Sequence, residues 1–282
     1  MKKWLSLLTF GLLISSAAMA TDAAPSDRSA HHQLIGSADH QVEIYWAVPP
    51  GAQGKLPVVV YIHGVQGDAR PGAKNFVEGG LLELSAANGF LSIGMSMPGY
   101  GKSTGKADFC GTGTQAALRS VLSRVRSWGS VDRKRIIVTG LSCGAVAAAM
   151  VADKEPLAGM VLISGVYDFA DMYRKWHTPD WPLDPATLNY IDDSASADGA
   201  PEKAYARRSA LSNASRFRSP VMLVAGGKDL IVDPEQSIRL DTALKQYGKQ
   251  SILVLNPEGQ HLISYEDWAG YVNDFARGVF GR

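Results

Sequence analysis

Seven apolar runs of strand length, each separated from the next by an amphipathic stretch, restrict this chain to one kind of architecture. They lie at 42–48, 57–62, 91–97, 135–139, 160–164, 221–225 and 251–255. The run at 57–62, PVVVYI, has no polar alternation, which is how a strand covered on both faces reads. The intervening patterns predict helices over about 75–87, 114–128, 144–152, 234–247 and 265–280. Strands alternating with helices imply βαβ units and a mostly parallel sheet flanked by helices, an α/β fold. One stretch breaks the rhythm. Residues 168–217 hold no strand-like run and are rich in Trp, Tyr, Pro and Asp. A structureless loop of that length is unusual in a compact domain, so an inserted helical cap is expected there.

With 46% hydrophobic residues, and with 29 Gly and 14 Pro that show no period, the chain is neither disordered nor collagen-like. Its 28 basic and 27 acidic residues leave a net charge of +1, which gives no electrostatic footprint for nucleic acid or an anionic membrane. The first twenty residues read differently. Met1-Lys2-Lys3 precedes an apolar stretch over 4–14, then small residues ending Ala18-Met19-Ala20. This is the pattern of a secretory signal peptide cleaved after Ala20. The apolar stretch is short of the ~20 residues a spanning helix needs, so no membrane anchor is expected, and the mature chain is expected to be periplasmic or secreted. Residues 21–32 read as a flexible tail and 33–282 as one domain. Asn213-Ala214-Ser215 matches a glycosylation sequon, which carries little weight in a bacterial export context.

The strand-like run at 135–139 leads into Gly140-Leu141-Ser142-Cys143-Gly144, followed by the Ala-rich stretch 145–150. This is G-x-S-x-G between a strand and a helix, the setting of a nucleophile elbow: Ser142 sits on a strained turn that flanking glycines allow to pack closely. Such a serine needs a base, and the base needs an orienting carboxylate, in the chain order Ser, acid, His. Only His177 and His261 follow Ser142. His261 lies after the last strand and before the last helix, whereas His177 lies inside the expected cap, so His261 is preferred. Asp229 follows the run 221–225 at the strand end where catalytic groups collect, and is preferred to Asp233, which precedes Pro234 and suits a helix start. The oxyanion donors are expected to be the N–H of Cys143 and that of Val65, with Gly64 as the neighbouring alternative to Val65 and His63 as a structural support.

In order along the chain, VVYIHG, PGYGKSTG, GLSCGA, GGKD and GQH resemble the α/β-hydrolase superfamily. Within it they are similar to the prolyl-oligopeptidase-like and dienelactone-hydrolase-like branch. The resemblance covers about 33–282 and implies a mainly parallel eight-stranded sheet, with Ser142, Asp229 and His261 as a triad and no cofactor. The segment 208–212 before the acid strand is similar to the same branch. Two departures, Gly259-Gln260-His261 in place of Gly-His and an altered spacing from Asp229 to Pro234, leave the triad in place but weaken any transfer of substrate. The expected activity is an acyl-enzyme serine hydrolase acting on small-molecule esters. A serine exopeptidase or amidase acting on short peptides is the alternative, and a catalytically silent hydrolase fold used for binding is a third reading.

Several features point elsewhere on first inspection. Gly99-Tyr100-Gly101-Lys102-Ser103-Thr104 looks like a phosphate loop, but the Walker spacing requires Gly where Ser96 stands. His31, His32 and His40 lack partners at ligand spacing, so no metal is expected. Cys110 and Cys143 are the two cysteines, and in an exported chain a disulfide between them is favoured over two buried thiols. In the cap, Tyr173, Trp176, Trp181 and Tyr190 either line a substrate pocket or pack the cap onto the sheet. Arg207 and Arg208 either meet a substrate carboxylate or face water. The sequence pattern leaves both choices, and the oligomeric state, open.

Overall fold

A computed structural model of the chain describes residues 30–281 apart from 68, 180, 182 and 197; the expected signal peptide lies outside the described residues. Eight strands form one sheet: β1 (His31–Ile35), β2 (Val42–Ala47), β3 (Leu56–Ile62), β4 (Leu91–Met95), β5 (Val131–Leu141), β6 (Gly159–Ile163), β7 (Val221–Gly226) and β8 (Ser251–Asn256). Their order is β1-β2-β4-β3-β5-β6-β7-β8. The pairings from β4 to β8 are parallel, and β2 runs antiparallel to both β1 and β4. This is the α/β-hydrolase fold. The sheet takes in His31 and His32, which the sequence pattern leaves in the tail. HHQLI carries no apolar run. It is held by side chains instead, with His31 stacked on Trp46 and His32 bonded to Glu43.

All of β3 is buried, and its alternate residues serve two separate cores. Val58, Val60 and Ile62 face one layer, and Val59 and Tyr61 the other, as the two-residue period of a strand requires. Nine helices cover the sheet among the described residues. The expected helix over 75–87 is two, α1 (Lys74–Glu78) and α2 (Leu81–Ala87). The break falls at Gly79, where a side chain would meet the Tyr265 ring at 2.2 Å, and Gly80, whose φ is +76°. After them come α3 (Thr112–Arg126) and α4 (Cys143–Met150). The cap follows as α5 (Phe169–Trp176), α6 (Pro185–Ser196), α7 (Pro201–Ala206) and a 3-10 turn over Ala210–Arg216. The last two helices are α8 (Glu235–Gln246) and α9 (Tyr265–Phe280). The buried Trp268 of α9 donates its indole N–H to Thr139 Oγ1 at 2.7 Å, fixing that helix across β5. No described helix is long and apolar enough to cross a membrane.

Candidate active site

β5 passes into α4 at Ser142, whose φ of 55° and ψ of −119° lie where a non-glycine residue is strained. Three backbone bonds hold it there. Its N–H donates to Ile163 O of β6 at 2.8 Å, and its carbonyl accepts from Ala145 and Val146 at 3.0 and 3.2 Å. The flanking glycines are required by close approach: a Cβ on Gly140 would lie 2.2 Å from the Gly144 carbonyl carbon, and one on Gly144 only 2.3 Å from Ile62 O. The start of α4 is therefore pressed onto the end of β3. The Cys143 N–H opens the helix, with no preceding turn to accept its hydrogen bond.

The same compression brings the loop after β3 against the serine. A Cβ on Gly64 would lie 3.2 Å from Ser142 Cβ and 3.8 Å from its Oγ. Val65 follows, and is exposed. The loop is braced by His63, whose Nδ1 pairs with Gly64 O at 2.7 Å while its Nε2 accepts from the Met97 amide at 3.0 Å. Those partners fix the Nδ1–H tautomer. Burial holds the ring neutral and lowers its pKa to about 4. His63 is a structural support, as the loop position suggests.

Two strands away, Asp229 follows β7 and His261 follows β8. His261 Nδ1 pairs with Asp229 Oδ2 at 2.8 Å. The other oxygen, Oδ1, accepts from the amides of Ile231 and Val232 at 2.8 and 2.9 Å, so both carboxylate oxygens are occupied and the group is buried. Gly226 lets the loop of His261 close over β7, since a Cβ there would lie 2.4 Å from Gln260 O. The competing residues are engaged elsewhere. Asp233 accepts from Lys175 Nζ at 2.6 Å and from the Glu235 amide at the start of α8. His177 pairs through Nδ1 with Tyr173 O.

The disulfide expectation is corrected: Cys110 and Cys143 are both free and buried. Burial, and then the hydrogen-bonded Cys110 thiol, push the Cys143 thiol well above its ordinary range. Of the cap aromatics, Trp176 is buried and donates its indole N–H to Ile231 O at 2.8 Å, tying α5 to the loop of Asp229. Tyr173 stacks on Phe169 and Tyr205 and donates to Asp192. Trp181 packs on the main core, with its indole nitrogen buried. Trp176 and Trp181 thus pack the cap onto the main core, while the ring and hydroxyl contacts of Tyr173 lie within the cap. Arg208 neither faces water nor reaches a cleft. It is fully buried, paired with Asp198 at 2.8 Å, and donates to the carbonyls of Asp108, Phe109 and Ala204. Arg207 donates to the Asp198 carbonyl at 2.7 Å.

The turn over 99–104 spends its polar groups on the sheet. Glu43 of β2 accepts from the Lys102 amide and Ser96 Oγ, and its own N–H donates to Ser103 Oγ. Burial alone would raise the Glu43 carboxyl, but the bonds from Lys102, Ser96, His32 and Tyr45 outweigh it and hold the group below its usual range. No group of three or more potential metal ligands occurs among the described residues. Two cavities, of about 460 and 430 Å³, lie away from this edge. One sits between α2 and α9 beside Phe90 and Phe280, the other between α3, α4 and the cap beside Arg119 and Arg216.

A sequence model described as "Prolyl oligopeptidase family" matches residues 111–277. Acylamino-acid-releasing enzyme 2 of Oryza sativa subsp. japonica is 22% identical over 160 residues, which cover 55% of this chain and 21% of that protein. Among solved structures, the acylaminoacyl peptidase of Pyrococcus horikoshii superposes with a TM-score of 0.69 at 19% identity, covering 89% of this chain and 42% of its own. An esterase of Pyrococcus furiosus gives 0.68 at 18% identity, covering 89% and 91%. The chain thus spans about a fifth of the rice enzyme and about two fifths of the archaeal peptidase.

Proposed function

The chain belongs to the prolyl oligopeptidase family and is a serine hydrolase, and from that premise we propose that it cleaves carboxylic esters through an acyl-enzyme and, from the pattern of residues 1–20, that it is exported. The observation that carries this reading is the Asp229–His261 pair after β7 and β8 together with a strained Ser142 after β5, all following the ends of parallel strands of one sheet. Asp229 accepts at Nδ1 and so leaves Nε2 of the neutral ring as the base. Nε2 takes the Ser142 Oγ proton as the oxygen attacks the ester carbonyl. The Val65 and Cys143 N–H groups receive the oxyanion. Collapse expels the alcohol with the proton held by His261, and water repeats the sequence to free the acid and Ser142.

Ester cleavage is preferred because the likeness to the Pyrococcus furiosus esterase extends over 91% of that chain. The peptidase reading rests on the rice enzyme and the Pyrococcus horikoshii peptidase. A panel of unactivated ethyl acyl esters and N-acetylated short peptides decides between them, because an activated aryl ester would be cleaved by either kind of enzyme. Turnover of the ethyl esters with no measurable peptide cleavage is the expected result, and peptide cleavage at a comparable kcat/KM would replace ester by peptide cleavage. Near-native turnover by His261→Ala would move the base elsewhere. Export is tested by the mass of the protein recovered outside the bacterial cytoplasm, which should begin at Thr21.

A further inference from the structure

Arg70 lies six residues beyond Gly64 on the loop that meets Ser142. Its backbone has a φ of 40°, unusual for a non-glycine residue, and the loop is fastened around it. The Gln66 side-chain amide both donates to Gly72 O and accepts from Gly72 N, at 3.0 and 2.7 Å, and the Gly101 N–H donates to Arg70 O at 2.8 Å. The guanidinium stands over two rings, 5.5 Å from the Tyr100 centroid and 5.3 Å from that of Tyr190. Tyr100 lies in the turn after β4 and packs at a tilt against His63, and Tyr190 comes from α6 of the cap. Their hydroxyls are paired with each other at 2.9 Å, so neither is turned to the arginine.

Ring faces attract a cation but do not use its N–H donors. Among the described residues no carboxylate lies within ion-pair distance of Arg70, while the fully buried arginine of the cap, Arg208, is paired and bonded to three carbonyls. Arg70 is only partly buried. A planar guanidinium held in place by rings, with no ion-pair partner among the described residues, matches one carboxylate in two parallel hydrogen bonds. Because backbone and rings already fix it, little side-chain entropy is lost on pairing.

We propose that Arg70 is a specificity residue that receives a carboxylate carried by the substrate, with the scissile acyl group at Ser142. The inference rests on the ester-cleaving reading above and narrows it to esters whose acyl part bears a free acid. Tyr100 and Tyr190 set the direction of the guanidinium, and the cap helix thereby enters substrate choice without touching the reacting atoms.

The test compares p-nitrophenyl monoesters of adipic and suberic acid with p-nitrophenyl hexanoate and octanoate, which match them in chain length. The wild type is expected to favour an acid-bearing ester by about tenfold in kcat/KM. Arg70→Gln should collapse that ratio to about one through KM rather than kcat, and Arg70→Lys should restore part of it. An arginine that only braces the cap would depress both substrate series alike and leave the ratio at its wild-type value, and that result overturns the proposal. Calorimetric binding of the same intact esters to Ser142→Ala separates the two readings. Arg70-dependent preference for the acid in binding without ester turnover in the wild type would remove the ester reading and keep the carboxylate site. Turnover of neutral esters with no preference in either assay would do the opposite.

Discussion

The carboxyl edge of the sheet and the cap over it are built on different principles. At the edge, Gly140, Gly144 and Gly64 are needed because backbone meets backbone or the serine itself, and Ser142, Asp229 and His261 are each delivered by the end of a parallel strand. In the cap, short helices bury apolar side chains in the main core and are tied to neighbouring loops by single polar contacts: Trp176 to Ile231, Lys175 to Asp233, and Arg208 to Asp108 and Phe109. The edge therefore tolerates almost no added volume, whereas the cap adds a few polar anchors to the apolar packing of Phe169, Met172 and Trp176 in the main core. Precision at the reacting atoms comes from backbone packing, and adjustable recognition from the layer above.

The largest expected contrast is catalytic. Asp229→Asn should lower kcat by about 10⁴-fold with the fold retained, because the amide presents the wrong group to Nδ1; Asp233→Asn, in a capping ion pair, should leave kcat within about tenfold. Steady-state kinetics on one ester checks both. Second, Arg208→Met should destabilise by about 3 kcal/mol, since it removes the buried cation paired with Asp198, leaving that carboxylate to Thr112 and the more exposed Arg207, and strips three carbonyls of their donor. Urea denaturation of that variant would break the comparison if the cap proved indifferent to its anchor.

Third, Gly144→Ala should cost about 3 kcal/mol, the contact being with backbone oxygen that cannot move aside. In the cap, Gly199→Ala meets nothing within 4 Å, and its φ of +97° alone should cost about 1 kcal/mol. Equal losses in thermal unfolding would contradict the contrast. Fourth, His63 has an ordinary value of 6.5 and a folded value near 4. Its pKa is depressed on folding, so its contribution is fully present above pH 6.5 and is lost as pH falls toward 4, at up to about 1.4 kcal/mol per pH unit. His63→Gln should flatten that acid limb of stability relative to the wild type.

What was legible in the sequence follows the same division. The strands at 57–62 and 221–225 declare themselves because both faces are buried, and the elbow because only certain residues fit its backbone. Asp229 was readable from its strand end alone. The cap had no such grammar. Arg208 next to Arg207 gives no sign of which is buried, and the pairing of Tyr100 with Tyr190 across ninety residues has no local pattern. Expecting the cysteines to pair failed for a related reason: spacing does not report that both thiols lie buried and unbonded.

The central claim is an activated Ser142, and intact mass after exposure to a fluorophosphonate probe tests it most directly. A single adduct on the wild type that is absent from Ser142→Ala is the predicted result. A folded wild-type protein that takes up no probe, or an adduct that persists in Ser142→Ala, would contradict it.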